Sequence, residues 1–194
     1  IRLGSLEPRI VTEEFAKELA CLPKICPHFH LSLQSGCDAT LKRMNRRYDA
    51  AEYREKCELL RKYFENPALT TDVIVGFPQE SEEEFEASRD FVDSINFYET
   101  HIFKYSKRQG TKAAKMDGQI PEHEKTRRSN IMLELNRKKM QRYEEGWLGK
   151  KVEVLFEEMT ERDGKNYPCE PEQADRWINQ LKEIELTSLS QIMH

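Results

Sequence analysis

At 194 residues, with 38% hydrophobic and 34% charged residues and a net charge of -4, the chain has room for one ordinary domain, or one plus a fragment of another, around a modest core. No apolar run approaches the roughly 20 residues that span a bilayer, which excludes a membrane-spanning helix, and the amino end, IRLGSLEPRI, lacks the pattern of a signal peptide. The mild acidity excludes a globally basic nucleic-acid binder, though not a local basic patch.

The five cysteines, Cys21, Cys26, Cys37, Cys57 and Cys169, form no CxxC pair and no close-set cluster, and their odd number argues against a simple disulfide framework. Scattered thiols fit a reducing, cytoplasmic setting. The first residue is Ile rather than Met, so the chain is expected to start inside a longer protein or at a trimmed terminus.

Arg2 to Ser5 is a short strand candidate, and Thr12 caps a helix with Phe15, Leu19 and Leu22 at three- and four-residue steps. His28 to Gln34, HFHLSLQ, alternates, with His28, His30, Ser32 and Gln34 on one side and Phe29, Leu31 and Leu33 on the other. The polar side would face solvent in an open sheet or line the interior of a closed barrel. A loop, a short helix from about Asp38 and the pair Arg46–Arg47 follow. Asp49 then opens a helix to Tyr63 with Tyr53, Cys57, Leu60 and Phe64 on one stripe.

Thr70 to Glu84, TTDVIVGFPQESEEE, reads as strand, tight loop and helix. Val73 to Val75 suit a strand covered on both faces, Gly76 permits a turn or a close approach, and Pro78 stops the strand. Ser81 is an N-cap followed by three glutamates that suit the positive end of a helix dipole. A fourth strand, roughly Glu99 to Tyr105, ends in the basic loop SKRQGT.

From about Pro121 to Trp147 the spacing predicts a helix of roughly 25 residues, with Ile131, Leu135 and Met132 as its apolar stripe. Its Lys125, Arg127, Arg128, Arg137, Lys138, Lys139 and Arg142 belong either to a solvated face of mixed charges or to a ridge contacting phosphates. Composition changes at Gly149, where KVEVLF alternates like a strand and Asp163-Gly164 is a hairpin-turn dipeptide. From Pro168 the pattern turns helical, with Trp177, Leu181 and Ile184 on one face.

Four strands alternating with helices predict an α/β fold of right-handed crossovers and a parallel sheet. Ligands bind such sheets at the carboxyl ends of the strands, here at Ser5 to Pro8, Gln34 to Gly36, Gly76 to Pro78 and Tyr105 to Arg108.

The stretches Gln34-Ser35-Gly36, Met44-Asn45-Arg46, Asp72 to Pro78 with Glu80, and Phe103-Lys104-Tyr105-Ser106 with Gly110-Thr111 occur in the order found in radical S-adenosylmethionine (SAM) methylthiotransferases. Over about residues 1 to 158 the chain resembles that family, and most of all the branch that modifies threonylcarbamoyladenosine beside the tRNA anticodon. The resemblance implies part of a TIM-like radical SAM barrel over residues 1–148, the start of a TRAM-like β domain over 149–167 and a divergent helical tail over 168–194. It implies SAM and two [4Fe-4S] clusters as cofactors of the full-length protein, a transferase of methylthio groups.

By that resemblance Gln34, Ser35 and Arg46 would lie near the cofactor's ribose and carboxylate, Val75 and Gly76 beside its adenine, and Glu80, Tyr105 and Ser106 nearby. Lys107, Arg108, Arg127, Arg128, Lys138, Lys139 and Arg142 would be the RNA contacts. For each, a bland role stands beside it: turn, strand end, helix-start acid, barrel rim or solvated charge.

The family's CxxxCxxC loop is absent, so the chain should carry no cluster ligands and be inactive alone. Its expected partners are tRNA, the missing amino-terminal portion of the same protein and a reductant protein; an open sheet edge would also invite self-association. Two alternatives are a non-catalytic RNA-binding fragment and a relative acting on another substrate, such as a ribosomal protein.

Overall fold

The computed structural model describes the backbone of residues 1–156, 160–162, 165–167 and 180–187, with side chains over 1–154 and 180–187. The chain divides into two compact units, Ile1–Met140 and Gln141–His194. That division falls inside the long helix, ahead of the change in composition at Gly149.

The first unit holds a four-stranded parallel sheet in the order β1 (Ser5–Leu6), β2 (His28–Leu31), β3 (Ala68–Val75) and β4 (Glu99–Lys104). The crossovers carry α1 (Glu13–Ala20), then α2 (Asp38–Arg43) with α3 (Ala50–Tyr63), then α4 (Glu82–Ile95). Three caps act as their residue types require. Thr12 accepts the Phe15 N–H at 3.1 Å, Asp49 accepts that of Glu52 at 2.8 Å, and Ser81 and Glu84 form a reciprocal capping box. Leu22, expected on the buried stripe of α1, lies past the helix end and is 52% exposed.

One face of the sheet makes the core. Phe29, Leu31, Leu33, Leu69, Val73 and Val75 are buried, as are Tyr53, Cys57 and Leu60 of α3 and Phe85, Val92 and Ile95 of α4. The other face carries His30, Thr70, Asp72, Ile74, His101 and Phe103, as alternation along β2, β3 and β4 requires.

β2 stops at Leu31 rather than running to Gln34. Beyond it the Leu33 N–H goes to the Thr71 hydroxyl at 3.0 Å, and Tyr48 Oη donates to the Ser32 carbonyl at 2.7 Å. These side chains take the place of ladder partners for the Leu33 N–H and the Ser32 carbonyl. Gln34, at φ 71°, then rejoins β3, donating to the Asp72 carbonyl at 2.8 Å and accepting from Ile74 at 2.9 Å. β1 is likewise displaced, to Ser5–Leu6 from the expected Arg2 to Ser5.

The long helix, α5, spans Glu122–Glu145, with Met132 buried and Ile131 and Leu135 packed partly against the core. Asn136 Oδ1 accepts the Thr100 N–H at 2.6 Å, satisfying one donor of the edge strand β4. No helix among the described residues is long and apolar enough to cross a membrane.

In the second unit β5 (Lys151–Phe156) pairs antiparallel with β8 (Gln180–Glu185), and β6 (Thr160–Arg162) with β7 (Lys165–Tyr167). The strand at 151–156 is as expected. Arg162 pairs with Lys165, and Asp163-Gly164, the expected turn dipeptide, lies outside the described residues.

The helical tail is corrected over Gln180–Glu185, which is a strand. Leu181 is 59% exposed, while Ile184 and Leu186 are increasingly buried on the alternate face. The three-residue spacing of Leu181 and Ile184 fitted a helix. Pairing with β5 selects instead the two-residue spacing of Ile184 and Leu186. Trp177 and Cys169, with the rest of 168–179 and 188–194, lie outside the described residues.

Candidate functional site

Parallel pairing brings the carboxyl ends of β2, β3 and β4 to one rim. There Gln34 bridges to Val73, and Tyr105 N–H donates to the Val75 carbonyl at 2.9 Å. Gly76 turns the chain away at φ 71°, and its N–H donates to Glu80 Oε2 at 2.7 Å. A Cβ on Gly76 would clash with Lys125 Cγ, so at this turn glycine permits the close approach of α5. Lys125 Nζ in turn donates to the Tyr105 carbonyl at 3.0 Å and sits 5.5 Å from the centre of its ring.

Tyr105 meets Phe77 edge to face at 5.2 Å, and its hydroxyl is buried without a hydrogen-bond partner among the described residues. A buried hydroxyl left unpaired costs about 1–3 kcal/mol, so the rim holds a polar atom ready for a bound group. Gln34 is 9% exposed and its side-chain amide makes no hydrogen bond among the described residues. Arg46 and Ser106 are exposed. An amide, a phenol, a hydroxyl and a guanidinium are donors suited to the ribose and carboxylate of SAM.

Three of the expected contacts have partners within the fold. Ser35 is fully buried, donating toward Ser88 Oγ at 3.4 Å and accepting the Cys37 N–H at 3.2 Å, so it ties the turn to α4. The Val75 side chain is 2% exposed and belongs to the core. Glu80 is 3% exposed, with its carboxylate taken by Gly76 and by Arg128 Nη1 at 2.7 Å. Burial pushes the Glu80 carboxyl up, opposed by those two donors.

The basic ridge on α5 is mostly neutralised within the fold. Arg128, one of the expected RNA contacts, is buried in ion pairs with Glu80, Glu82 and Glu124. Arg127 lies 2.6 Å from both Glu82 and Glu124, Lys138 lies 3.4 Å from Glu134, and Lys139 is paired with Asp93. Lys107 and Arg108, and separately Arg142, are exposed and make no ion pair among the described residues.

Cys21 and Cys26 are exposed, Cys37 is partly covered and Cys57 is buried, its thiol pushed up to about 12 by desolvation. Among the described residues no three cysteines converge. A [4Fe-4S] cluster needs thiolates at one place, and these residues do not fit one.

One grouping was not anticipated. His30, Asp72 and His101, from β2, β3 and β4, place ligand-type atoms within 4.8 Å of one another on the open face of the sheet. His30 Nε2 is 3.4 Å from Asp72 Oδ2, and the two imidazole rings lie 5.7 Å apart. The only signal in the sequence was the polar side of HFHLSLQ, which says nothing of β3 or β4.

Residues 3–92 match the model of the Radical SAM superfamily. A threonylcarbamoyladenosine tRNA methylthiotransferase MtaB from Thermotoga maritima is 37% identical over 157 residues, 81% of this chain and 36% of that protein. A tRNA-2-methylthio-N(6)-dimethylallyladenosine synthase from Aquifex aeolicus is 39% identical over 165 residues, 85% of this chain and 37% of its own length. Another synthase of that name, from Opitutus terrae, is 36% identical across 98% of this chain and 41% of itself. The chain thus spans little more than a third of the curated relatives it matches. In fold it is similar to coproporphyrinogen III oxidase (HemN) from Escherichia coli, a radical SAM enzyme. The TM-score is 0.52 at 14% identity, covering 79% of this chain and 33% of that one. Along most of its length the chain is thus similar to radical SAM methylthiotransferases, residues 3–92 match the Radical SAM superfamily, and its parallel α/β sheet shares the fold of part of a radical SAM enzyme.

Proposed function

We propose that the chain is part of a cytoplasmic enzyme that methylthiolates an N6-substituted adenosine of tRNA, threonylcarbamoyladenosine in preference to dimethylallyladenosine. The observation that carries this reading is the 37–40% identity to tRNA methylthiolating relatives of both names. The wording of residues 28 to 48 and 101 to 111 favours the first substrate. SAM, when bound, supplies the methyl group and the source of a radical. The residues of this chain orient it: Gln34, Tyr105 and Ser106 by hydrogen bonds along the rim, and Arg46 as the partner of a carboxylate. Cluster ligands, the reductant's docking site and the remaining strands belong to the rest of the protein in this reading, so the chain alone is inactive. Of the expected RNA contacts, Lys107, Arg108 and Arg142 are those without an ion pair among the described residues and would meet tRNA phosphates.

Expressing the full-length protein in a host deprived of its own tRNA methylthiotransferases, and analysing tRNA nucleosides by mass spectrometry, tests this. Methylthiolated threonylcarbamoyladenosine is expected. The dimethylallyl product would transfer the proposal to the second substrate, and neither product would reject it. A stand-alone RNA-binding module built on α5 is disfavoured by the ion pairs of Arg127, Arg128, Lys138 and Lys139.

A further inference from the structure

We propose that His30, Asp72 and His101 form a binding site for one divalent transition-metal ion of the zinc class, on the open face of the sheet. The inference stands on the geometry of the first unit and does not depend on the proposed function.

Sheet register makes the site. Asp72 and His101 are direct partners across β3 and β4, while His30 lies opposite Thr70, two residues before Asp72 on the same face. Three ligands thus come from three adjacent strands whose backbones are fixed by pairing, the kind of rigid support a metal site needs. The 3.4 Å separation between His30 Nε2 and Asp72 Oδ2 fits a tetrahedral ion. With metal–ligand bonds of about 2.0–2.1 Å the edge of the tetrahedron is about 3.4 Å. The remaining separations, all within 4.8 Å, close by rotation of His101, the most exposed of the three at 43%.

The outer contacts point the same way. His30 Nδ1 is held 3.0 Å from Thr70 Oγ1, which turns Nε2 toward Asp72. His101 Nδ1 lies 3.7 Å from Glu99 Oε1, leaving its Nε2 available. An oxygen hydrogen-bonded to the far nitrogen of a ligating imidazole is the usual orienting arrangement, and His30 has it. Asp72 has no Lys or Arg partner among the described residues, so its charge lacks a protein cation. Two imidazoles and one carboxylate suit zinc, cobalt, nickel or ferrous iron rather than calcium or magnesium. Three protein ligands leave a fourth position for water or a ligand atom. Ile74 and Phe103, the next register pair on that face, set an apolar border beside that position.

The test is calorimetric titration of the metal-stripped full chain with Zn2+, paired with the visible spectrum of the Co2+ form. One saturable equivalent is expected, with cobalt ligand-field bands of nitrogen and oxygen ligation and no thiolate charge transfer. His101→Ala and Asp72→Asn should each weaken binding at least about tenfold, and Thr70→Val about tenfold through loss of orientation. His123→Asn should leave it unchanged. His101 is exposed enough for its variant to retain the fold, checked by circular dichroism. Absence of saturable binding, binding unaltered by His101→Ala and Asp72→Asn, or a cobalt spectrum dominated by thiolate bands would each overturn the proposal.

Discussion

Arg128 and Gly76 share a single acceptor: Glu80 Oε2 stands 2.7 Å from Arg128 Nη1 and 2.7 Å from the Gly76 nitrogen. One oxygen thereby joins the middle sheet strand's exit turn to the long helix. Removing the arginine leaves a carboxylate 3% exposed without its counterion. Arg128→Met should lower unfolding free energy by about 3–5 kcal/mol, whereas Glu80→Gln, which can still accept both hydrogen bonds, should cost less. Urea denaturation compares the two, and equal costs would mean that charge is not what holds this junction.

Gly76→Ala combines two penalties, a left-handed backbone at φ 71° and a Cβ that would clash with Lys125 Cγ. A loss of about 1–3 kcal/mol is expected from the strain. Lys125→Ala in the same chain should recover only the part due to contact, and thermal melts of the single and double variants separate the two.

Glu84 is held below the usual carboxylate range by hydrogen bonds from Arg43, against the opposing effect of burial. A depressed folded pKa contributes stability that is fully present above the unfolded value of 4.5 and is lost as pH falls through the folded one. Glu84→Gln should therefore cost about 1 kcal/mol at pH 7, the pair being partly exposed. The difference from the parent chain should shrink as pH is taken below 4.5. Urea melts at both pH values measure it.

Cys57 is fully buried with its thiol raised to about 12, whereas Cys21 and Cys26 are exposed. A thiol-specific reagent at pH 8 should modify Cys21 and Cys26 in the native chain and reach Cys57 only after unfolding. Peptide mapping at successive times gives the order. Early modification of Cys57 would show that α3 opens readily.

The unpartnered Tyr105 hydroxyl predicts opposite signs for one substitution. Tyr105→Phe should leave the ligand-free chain as stable or more stable, by about 1 kcal/mol. If the proposed cofactor rim is right, the same change should weaken SAM binding in the full-length protein. Thermal melts and equilibrium dialysis read the two effects separately.

The helices were the most legible elements because each signal is local: Thr12, Asp49 and Ser81 cap donors three residues ahead. Strand ends were less so. β2 closes at Leu31 because Thr71, forty positions on, offers its hydroxyl to Leu33. Ser35 read as a ligand contact and is buried because Ser88 lies beneath it, a neighbour no local pattern reveals. The basic residues of α5 read as a possible ridge, and only the fold brings Glu80 and the acids Glu82 and Asp93 of α4 against them. The His30, Asp72 and His101 grouping needed the register of three strands at once, which alternation within one strand cannot supply.

The sheet also dictates how this polypeptide matures. Its parallel pairings join Ser5 to His30, His28 to Ala68 and Thr70 to Glu99, so every strand must wait for a partner 25 to 40 positions downstream. No hairpin exists in this unit to start the process, and loop closure precedes any reward, which places its folding among slow, non-local topologies. On the ribosome β2 becomes available to β3 only after α3 has been synthesised, and β3 presents a bare edge until β4 emerges. The capped helices α3 and α4 are then the structures able to form first, holding nascent strands near their own apolar faces while the neighbour is still being made.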